Sequence, residues 1–352
     1  MSNKIYKCAV IGCGFISGEH INAYINSKNS ELTALCDTDA QWLEYAKKKY
    51  NVKYAYTDYR KLLENPEIDA VSVCVPNKYH AEITIAALEA GKHVLCEKPM
   101  AACAADARKM IEAKNRSGKK LMIVQNQRFI PAAQVMKEMN ARGEFGQIYH
   151  IRTGWRRPMG MMPSPEDKRE NGQITNRNWY NEKESSGGVL RDLGVHLLDL
   201  AMYITGFPKV TSAAASGYRE FKPNMTGQQE SKYKFSSEDF VCALINFDNG
   251  MSLSLELSFG SAISEEALFT VLYGTKGGAE RCKDELRLIK TDDTFAYTVE
   301  QADFSGTKEF ISCAHEFIDV LVNDREVPVT PEQCLSVIET LDKIYEAMDK
   351  TK

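Results

Sequence analysis

No stretch of this chain approaches the roughly 18 consecutive apolar residues that a membrane-spanning helix needs. Nor does Met1-Ser2-Asn3-Lys4 lead into the apolar core of a secretory leader; it runs straight toward a strand. Excess positive charge is also missing: 44 Lys and Arg stand against 48 Asp and Glu, a net charge of -4. That balance argues against nucleic acid or an anionic membrane as the main partner. Cysteines are present, but no two form a C-x-x-C pair, and Cys36, Cys74 and Cys96 fall in apolar runs where a thiol serves as a small hydrophobe. His93 and Cys96 have a ligand-like spacing, yet three residues along a strand turns them to opposite faces. No metal site is expected, and the thiols are expected to be reduced, in a cytoplasmic protein. There is no internal repeat and no low-complexity segment. At 352 residues the chain exceeds what one core usually supports, so two domains are expected.

What is present begins with Cys8-Ala9-Val10-Ile11, an apolar run of the kind that forms a central parallel strand. It enters Gly12-Cys13-Gly14-Phe15-Ile16-Ser17-Gly18 and then a helix through Ala23 and Ile25. This is the dinucleotide fingerprint with serine in place of its third glycine. The first glycine makes the tight turn and the second lets a pyrophosphate reach the helix N-terminus, while the third only eases packing, so Ser17 is tolerable. The strand Leu32 to Cys36 ends in Asp37, about 20 residues on, where a carboxylate takes the adenosine ribose. A surface aspartate capping the helix that starts near Asp39 is the other reading of Asp37. Thr38 and Asp39 follow, and no arginine occurs before Arg60, so NAD is favoured over NADP.

Strands and helices then alternate. Ala70 to Val75 stops at Pro76-Asn77-Lys78-Tyr79-His80, Val94 to Cys96 stops at Glu97-Lys98-Pro99, and Leu121 to Val124 stops at Gln125-Asn126. Alternation of this kind is the pattern of a doubly wound parallel sheet, whose ligands lie beyond the carboxyl ends of the strands. The expected cofactor contacts are therefore Gly12, Gly14, Phe15, Ile16, Asp37, Pro76, Asn77, His80, Glu97, Lys98 and Gln125. The first domain is expected to close near Asn126, giving 1–126 and 127–352. In the second domain strands dominate: Ile148 to Trp155, Val210 to Gly217, Val241 to Phe247, Met251 to Phe259, Leu268 to Tyr273 and Leu286 to Lys290. Short turns such as Asp248-Asn249-Gly250 imply antiparallel neighbours, hence an α+β domain with a largely antiparallel open sheet. Helices near Cys313 to Val322 and Gln333 to Met348 finish the chain, and the C-terminal helices are allowed to pack back on the first domain.

Within the second domain the stretch Ser185 to Leu200 reads as a helix, with Gly206 and Pro208 beyond its end. Four residues apart, Asp192 and His196 would share one helical face. Gly194 costs about 1 kcal/mol relative to alanine in a helix interior, which suggests a close approach there. A buried helix with a self-satisfied histidine is the plain alternative.

Taken together, the fingerprint Gly12 to Ser17, Pro76-Asn77-x-x-His80, Gly91-Lys92-His93-Val94-x-x-Glu97-Lys98-Pro99, and Gly187-Gly188 through Asp192-x-Gly194-x-His196 resemble the Gfo/Idh/MocA oxidoreductase family, from about Lys7 to Pro208. The resemblance implies an N-terminal Rossmann domain and a nicotinamide-dependent enzyme acting on a sugar, polyol or related molecule. It also implies a site lined by Lys98, Asp192 and His196, and an oligomer formed through the second domain's open sheet.

The chemistry can be argued from the side chains alone. A hydride leaves an alcohol carbon as the hydroxyl proton is removed, so a base is required at that oxygen. A histidine with an ordinary pKa of about 6.5 is already poised for this. Asp192 would fix its tautomer and steady its charged form. Lys98, ordinarily near 10.4, suits the task of favouring the alkoxide, with a shuttle in which Lys98 itself takes the proton as the competitor. The catalytic set is therefore Lys98, Asp192 and His196, and the substrate contacts expected are these three with Arg156 and Trp179. Both of the latter lie in a long irregular stretch, Trp155 to Tyr180, for which a lid over substrate and an oligomerisation arm are competing readings. Three functions fit: an NAD-dependent dehydrogenase of a carbohydrate-like alcohol, a glycoside-processing enzyme with retained NAD, and a non-catalytic NAD sensor. Lys98, Asp192 and His196 weigh against the last.

Overall fold

The computed structural model describes residues 4–161, 166–176, 178–220, 235–291, 296–304 and 313–350. Met162, Pro163, Pro165 and Arg177 of the expected irregular stretch lie outside the described residues. The chain divides into two compact units: Met1–Gln125 with Asp167–Thr175 and Ile311–Ile338, and Asn126–Glu166 with Asn176–Phe310 and Glu339–Lys352.

The first unit alternates β1 (Tyr6–Ile11), α1 (Ser17–Asn26), β2 (Ser30–Cys36), α2 (Ala40–Tyr50), β3 (Tyr54–Tyr56), α3 (Tyr59–Leu63), β4 (Ala70–Val73), α4 (His80–Glu89), β5 (His93–Cys96), α5 (Ala104–Ser117) and β6 (Leu121–Ile123). The six strands pair in the order β3-β2-β1-β4-β5-β6, every pair parallel. Val10, Ala34, Val71, Val94 and Met122 are wholly buried, which is why these strands read as unbroken apolar runs in sequence. The order reverses at β1 and β4, and a crevice at such a reversal is where this class of sheet takes its ligands. Near the other end of the chain, α8 (Cys313–Asn323) lies against α1, burying Phe317 and Leu321, and the Tyr6 hydroxyl donates to the Leu321 carbonyl at 2.7 Å.

The second unit contains α6 (Pro131–Ala141), β7 (Ile148–Pro158), α7 (Val195–Thr205) and β10 to β16. A two-stranded hairpin of β8 (Glu166–Lys168) and β9 (Ile174–Asn176) intervenes in the chain. Strands β10 (Val210–Tyr218), β11 (Phe240–Phe247), β12 (Ser252–Ser261), β13 (Ala267–Gly274), β14 (Gly277–Cys282), β15 (Glu285–Thr291) and β16 (Tyr297–Asp303) join β7 in one sheet, ordered β10-β11-β12-β7-β13-β14-β15-β16. Only β12 and β7 run parallel; the other pairs in this sheet are antiparallel. Alternation divides its faces: Ile151, Ile245, Leu255, Leu257 and Leu272 point inward and are buried, while Leu244 and Tyr273 point outward and are exposed; Tyr149, at the register shift between β7 and β13, is exposed with its ring 6.5 Å from that of Tyr273. The inward face carries α7, and α7 is locked to the turn before α6 by a buried ion pair, Arg128 to Asp199, at 2.8 and 2.6 Å. Arg128 also lies over the rings of Tyr203 and Phe207. The last helix, α9 (Pro331–Lys350), closes the described chain.

Two expectations are corrected. Trp155, Arg156 and Arg157 are not in an irregular loop: β7 continues to Pro158, pairing Trp155 with Leu257 and Leu268. And no uniform helix starts at Ser185. Positive φ angles at Ser186 (58°) and Gly188 (113°) forbid it, a wide π-turn runs Leu190–Gly194, and the α-helix begins only at Val195. Among the described residues no helix is long and apolar enough to cross a membrane.

Candidate active site

In the first unit the glycine turn is built as its residue types require. Gly12 has φ +90°, and a Cβ there would meet the Cys74 carbonyl oxygen at 2.5 Å, so only glycine fits between β1 and β4. At Gly14 a Cβ would find nothing within 4 Å, so a ligand has room to approach the backbone. Ser17 opens α1 with its hydroxyl on the Gly14 carbonyl at 2.6 Å, a local tie that glycine would lack. Phe15 is exposed and Ile16 stands half out of the same turn. Asp37 is not a helix cap; that role belongs to Asp39, which accepts from the Trp42 N–H. Asp37 instead accepts from the Cys13 N–H at 2.8 Å and the Asp39 N–H at 2.9 Å, so its carboxylate stands beside the turn. At the end of β6, Gln125 is buried, and its Oε1 has no hydrogen-bond partner among the described residues. A tight turn with open space at Gly14, a carboxylate beside it and an unsatisfied buried amide form a cradle that fits a dinucleotide.

Glu97 and Lys98 follow β5, and the Lys98–Pro99 peptide is cis. The Glu97 side chain is turned inward at 5 % exposure, and behind it runs a chain of bonds: His20 Nε2 to Glu97 at 2.9 Å, His20 Nδ1 to the Ser72 hydroxyl at 2.9 Å, and that hydroxyl to the Tyr24 hydroxyl at 2.5 Å. Burial would raise the Glu97 carboxyl, but the His20 bond and charge, with Lys98 and His80 nearby, hold it below the usual range. The carboxylate is thus charged, and it accepts from the Lys98 N–H at 3.2 Å. His80, expected to contact the cofactor, has its side chain turned inward. Its ring is 1 % exposed and lies between the Pro99 carbonyl at 2.7 Å and the Val75 carbonyl at 2.8 Å. Burial lowers its pKa against the two carbonyl bonds, which work to raise it; a neutral ring donates to one of these carbonyls and a protonated ring to both, and either way the ring sits inside, between the end of β4 and the Glu97-Lys98-Pro99 turn. Asn77 is buried next to it on the same connection, and Pro76 precedes that short turn.

In the second unit the π-turn and α7 carry Asp192 and His196. Their start is anchored by Glu238, whose carbonyl accepts from the Val189 N–H at 3.0 Å and whose carboxylate accepts from the Leu190 N–H at 3.2 Å and the Tyr345 hydroxyl at 2.9 Å. Arg191 lies over the Tyr345 ring at 4.3 Å. A Cβ on Gly194 would meet Leu257 and Leu190 at 2.7 and 2.9 Å, so its absence lets the turn settle on β12. His196 is buried, and the Trp155 ring lies 6.2 Å away. Trp155 is itself fixed by Nε1 donating to Glu266 at 2.7 Å and by the Arg157 guanidinium over its ring at 4.8 Å.

Arg156, expected as a substrate contact, lies on the other face of β7. Strand alternation turns it away from Trp155 and Arg157, and it pairs with Glu256 at 3.3 Å on the outward face of the sheet. Trp179 stacks on Tyr180 at 3.8 Å, and the carbonyls of both stand 2.4 Å from where a Gly187 Cβ would be, so this segment packs directly on the entry to the π-turn.

Comparison with known proteins extends the picture. A model described as "Oxidoreductase family, NAD-binding Rossmann fold" matches residues 6–125, and one for the GFO/IDH/MocA C-terminal domain matches residues 133–280. D-glucoside 3-dehydrogenase of Escherichia coli (strain K12) is 33% identical over 284 residues, covering 79% of this chain and 78% of that protein. The chain belongs to the Gfo/Idh/MocA oxidoreductase family. Levoglucosan dehydrogenase of Pseudarthrobacter phenanthrenivorans is 26% identical over 320 residues, covering 84% of this chain and 77% of that one. A solved levoglucosan dehydrogenase, in complex with NADH and levoglucosan, has the same fold, with a TM-score of 0.83 over 99% of this chain and 98% of that chain at 22% identity.

For a Gfo/Idh/MocA chain, the residues that sequence reasoning missed are those behind the motifs. His20 was legible only as a histidine three residues beyond Ser17, on the same helix as the fingerprint. Trp155 stood at the edge of the stretch marked for substrate, but nothing local joined it to His196. Glu238 and Tyr345 carry no sequence signal that relates them to Gly188.

Proposed function

We propose that this chain is an NAD-dependent dehydrogenase oxidising a secondary hydroxyl of a sugar, polyol or glycoside, with glucosides the first class to test. The observation that carries the reading is the likeness to D-glucoside 3-dehydrogenase over some four-fifths of the chain, supported by relatives named for apiose, levoglucosan and myo-inositol.

The first unit would hold NAD through the Gly12–Gly14 turn, Phe15, Ile16, Asp37, Pro76, Asn77 and Gln125. When bound, the oxidised nicotinamide supplies the hydride acceptor. The remaining work belongs to side chains. His196 takes the hydroxyl proton at its ring nitrogen, Asp192 steadies the imidazolium that results, and the Lys98 ammonium favours the alkoxide as it forms. Glu97, held from behind by His20, fixes the backbone from which Lys98 extends. Trp155, beside His196, offers an aromatic face to a sugar ring and keeps water from the proton-transfer atoms. Trp179, packed at the entry to the π-turn, is a substrate contact rather than a cofactor contact in this reading. The outward face of the eight-stranded sheet, with Tyr149, Leu244 and Tyr273 exposed, is where a second copy would pair, in a cytoplasmic homo-oligomer.

The test is to incubate the purified protein with NAD and a panel of glucosides, polyols and free sugars and to follow reduced nicotinamide by absorbance. Reduction by at least one glucoside, with a keto-sugar product, is the expected result. Tight NADH binding with no reduction by any alcohol in the panel would overturn it.

A further inference from the structure

The hairpin of β8 and β9 belongs to the first unit through residues Asp167–Thr175, and it is fastened to α2 where β2 ends. Its turn closes through the Arg169 N–H on the Gln173 carbonyl at 2.9 Å. From that turn the Arg169 guanidinium reaches Asp39 at 2.9 Å and lies over the Trp42 ring at 4.6 Å, and Gln173 Nε2 donates to the same Asp39 oxygen at 2.6 Å. Glu170 adds bonds to Tyr45 and Lys49. Trp42 in turn donates its indole N–H to the Cys13 carbonyl at 2.7 Å, so the hairpin, α2 and the glycine turn form one connected body. Burial works to raise the Asp39 carboxyl, but the Trp42 N–H, Gln173 and Arg169 hold it below its ordinary value, so it is an anion.

Asp37 and Asp39 are bonded to each other through the Asp39 N–H. The local charge is therefore two carboxylates and one guanidinium, and that guanidinium is spent on Asp39. The absence of any arginine before Arg60 is thus not the whole account of cofactor choice, because the fold brings a cation to this corner from 130 residues away.

We propose that Asp39 is a cofactor-specificity residue that acts by occupying Arg169. An unphosphorylated adenosine ribose donates hydroxyls to Asp37 and needs no cation. A 2′-phosphate needs one, and Arg169 is the guanidinium at hand, held over the Trp42 ring but neutralised by its partner Asp39. The inference rests on Asp37 marking the adenosine ribose.

Dissociation constants for NADH and NADPH, measured by fluorescence titration on the full chain, test it. Asp39→Asn keeps the acceptor for the Trp42 N–H, and it should shift the NADPH to NADH affinity ratio by about tenfold or more toward NADPH, as a charge-assisted phosphate contact would. In Asp39→Asn/Arg169→Ala the gain should vanish. Arg169→Ala alone leaves Asp39 unneutralised and should move the ratio the other way, which keeps the test open should Asp39→Asn not fold. A ratio unmoved by Asp39→Asn, or a gain that survives removal of Arg169, overturns the proposal. Asp37→Ala should weaken NADH binding. If it does not, the placement of the ribose fails and the inference with it, whereas a normal Asp37 effect beside an unmoved ratio sinks the inference alone.

Discussion

Lys98 extends from a backbone whose N–H is held by Glu97, and Glu97 is held by His20. In the proposed mechanism that layering separates the residue that acts, Lys98, from those that place it. Lys98→Met and His196→Ala should each lower turnover by about 10²–10⁴-fold. NADH affinity should hardly move, since neither holds the glycine turn. Steady-state kinetics with a binding titration decides this, and near-normal turnover in either variant would remove that residue from the mechanism. His93 offers a different test. Its Nδ1 accepts from the Lys120 N–H at 3.1 Å, so the ring must be neutral there. Burial first, then the Lys119 and Lys4 charges, bring its pKa down to about 4. An unfolded histidine near 6.5 gains its proton earlier as pH falls. The unfolded state therefore holds more protons between about pH 4 and 6.5, and native stability should drop as pH falls through that window. In His93→Gln the urea-unfolding free energy should depend less steeply on pH across the same interval, and an unchanged slope would assign the titration elsewhere. The buried Arg128–Asp199 pair is a third case. Arg128→Leu leaves the buried Asp199 carboxyl without this partner, which should cost about 3–5 kcal/mol by denaturant unfolding.

At the level of elements, the π-turn ahead of α7 is held by one glycine and one carboxylate. Gly188 has φ +113°, and a Cβ on it would stand 2.2 Å from the Glu238 carboxylate that anchors Leu190. Gly188→Ala should cost about 2 kcal/mol or more in urea unfolding, and turnover should fall as Asp192 and His196 shift. Full stability would mean the turn is set by something else. None of this was legible in sequence, because Leu190, Leu193 and Leu197 are spaced as well for an α-helix as for what forms. The strands fared by burial. β1, β4 and β5 are covered on both faces and read plainly as apolar runs, and β11 alternates visibly between buried and exposed positions. β14 opens with two glycines and β16 is exposed along nearly its whole length, so neither has a pattern to read. The β8–β9 hairpin failed for another reason: Arg169 and Asp39 are partners only in space. The glycine turn and the strand ends that carry Asp37 and Lys98 were legible because each motif is local, whereas the inward turn of His80 was not, because a histidine after a strand looks the same in sequence whether it faces a crevice or the core.

For the whole molecule, the outward face of the eight-stranded sheet and the composition of the first unit matter most. Leu244→Lys places a charge among Ser254, Arg152 and Phe269 on that face and should weaken self-association. Sedimentation velocity would show it, and an unaltered oligomer would locate the interface elsewhere. A fragment ending at Asn126 keeps all six parallel strands but lacks α8, which lies against α1 and receives the Tyr6 hydroxyl. Such a fragment should bind a hydrophobic dye and unfold at lower urea concentration than the full chain. During synthesis the same arrangement sets an order of events, since Leu321 leaves the ribosome 315 residues after Tyr6. At about 5–20 residues per second that interval is roughly 15–60 s. For that time α1 lacks the helix that packs against it, and this makes the growing chain, rather than the finished enzyme, the natural client of a chaperone.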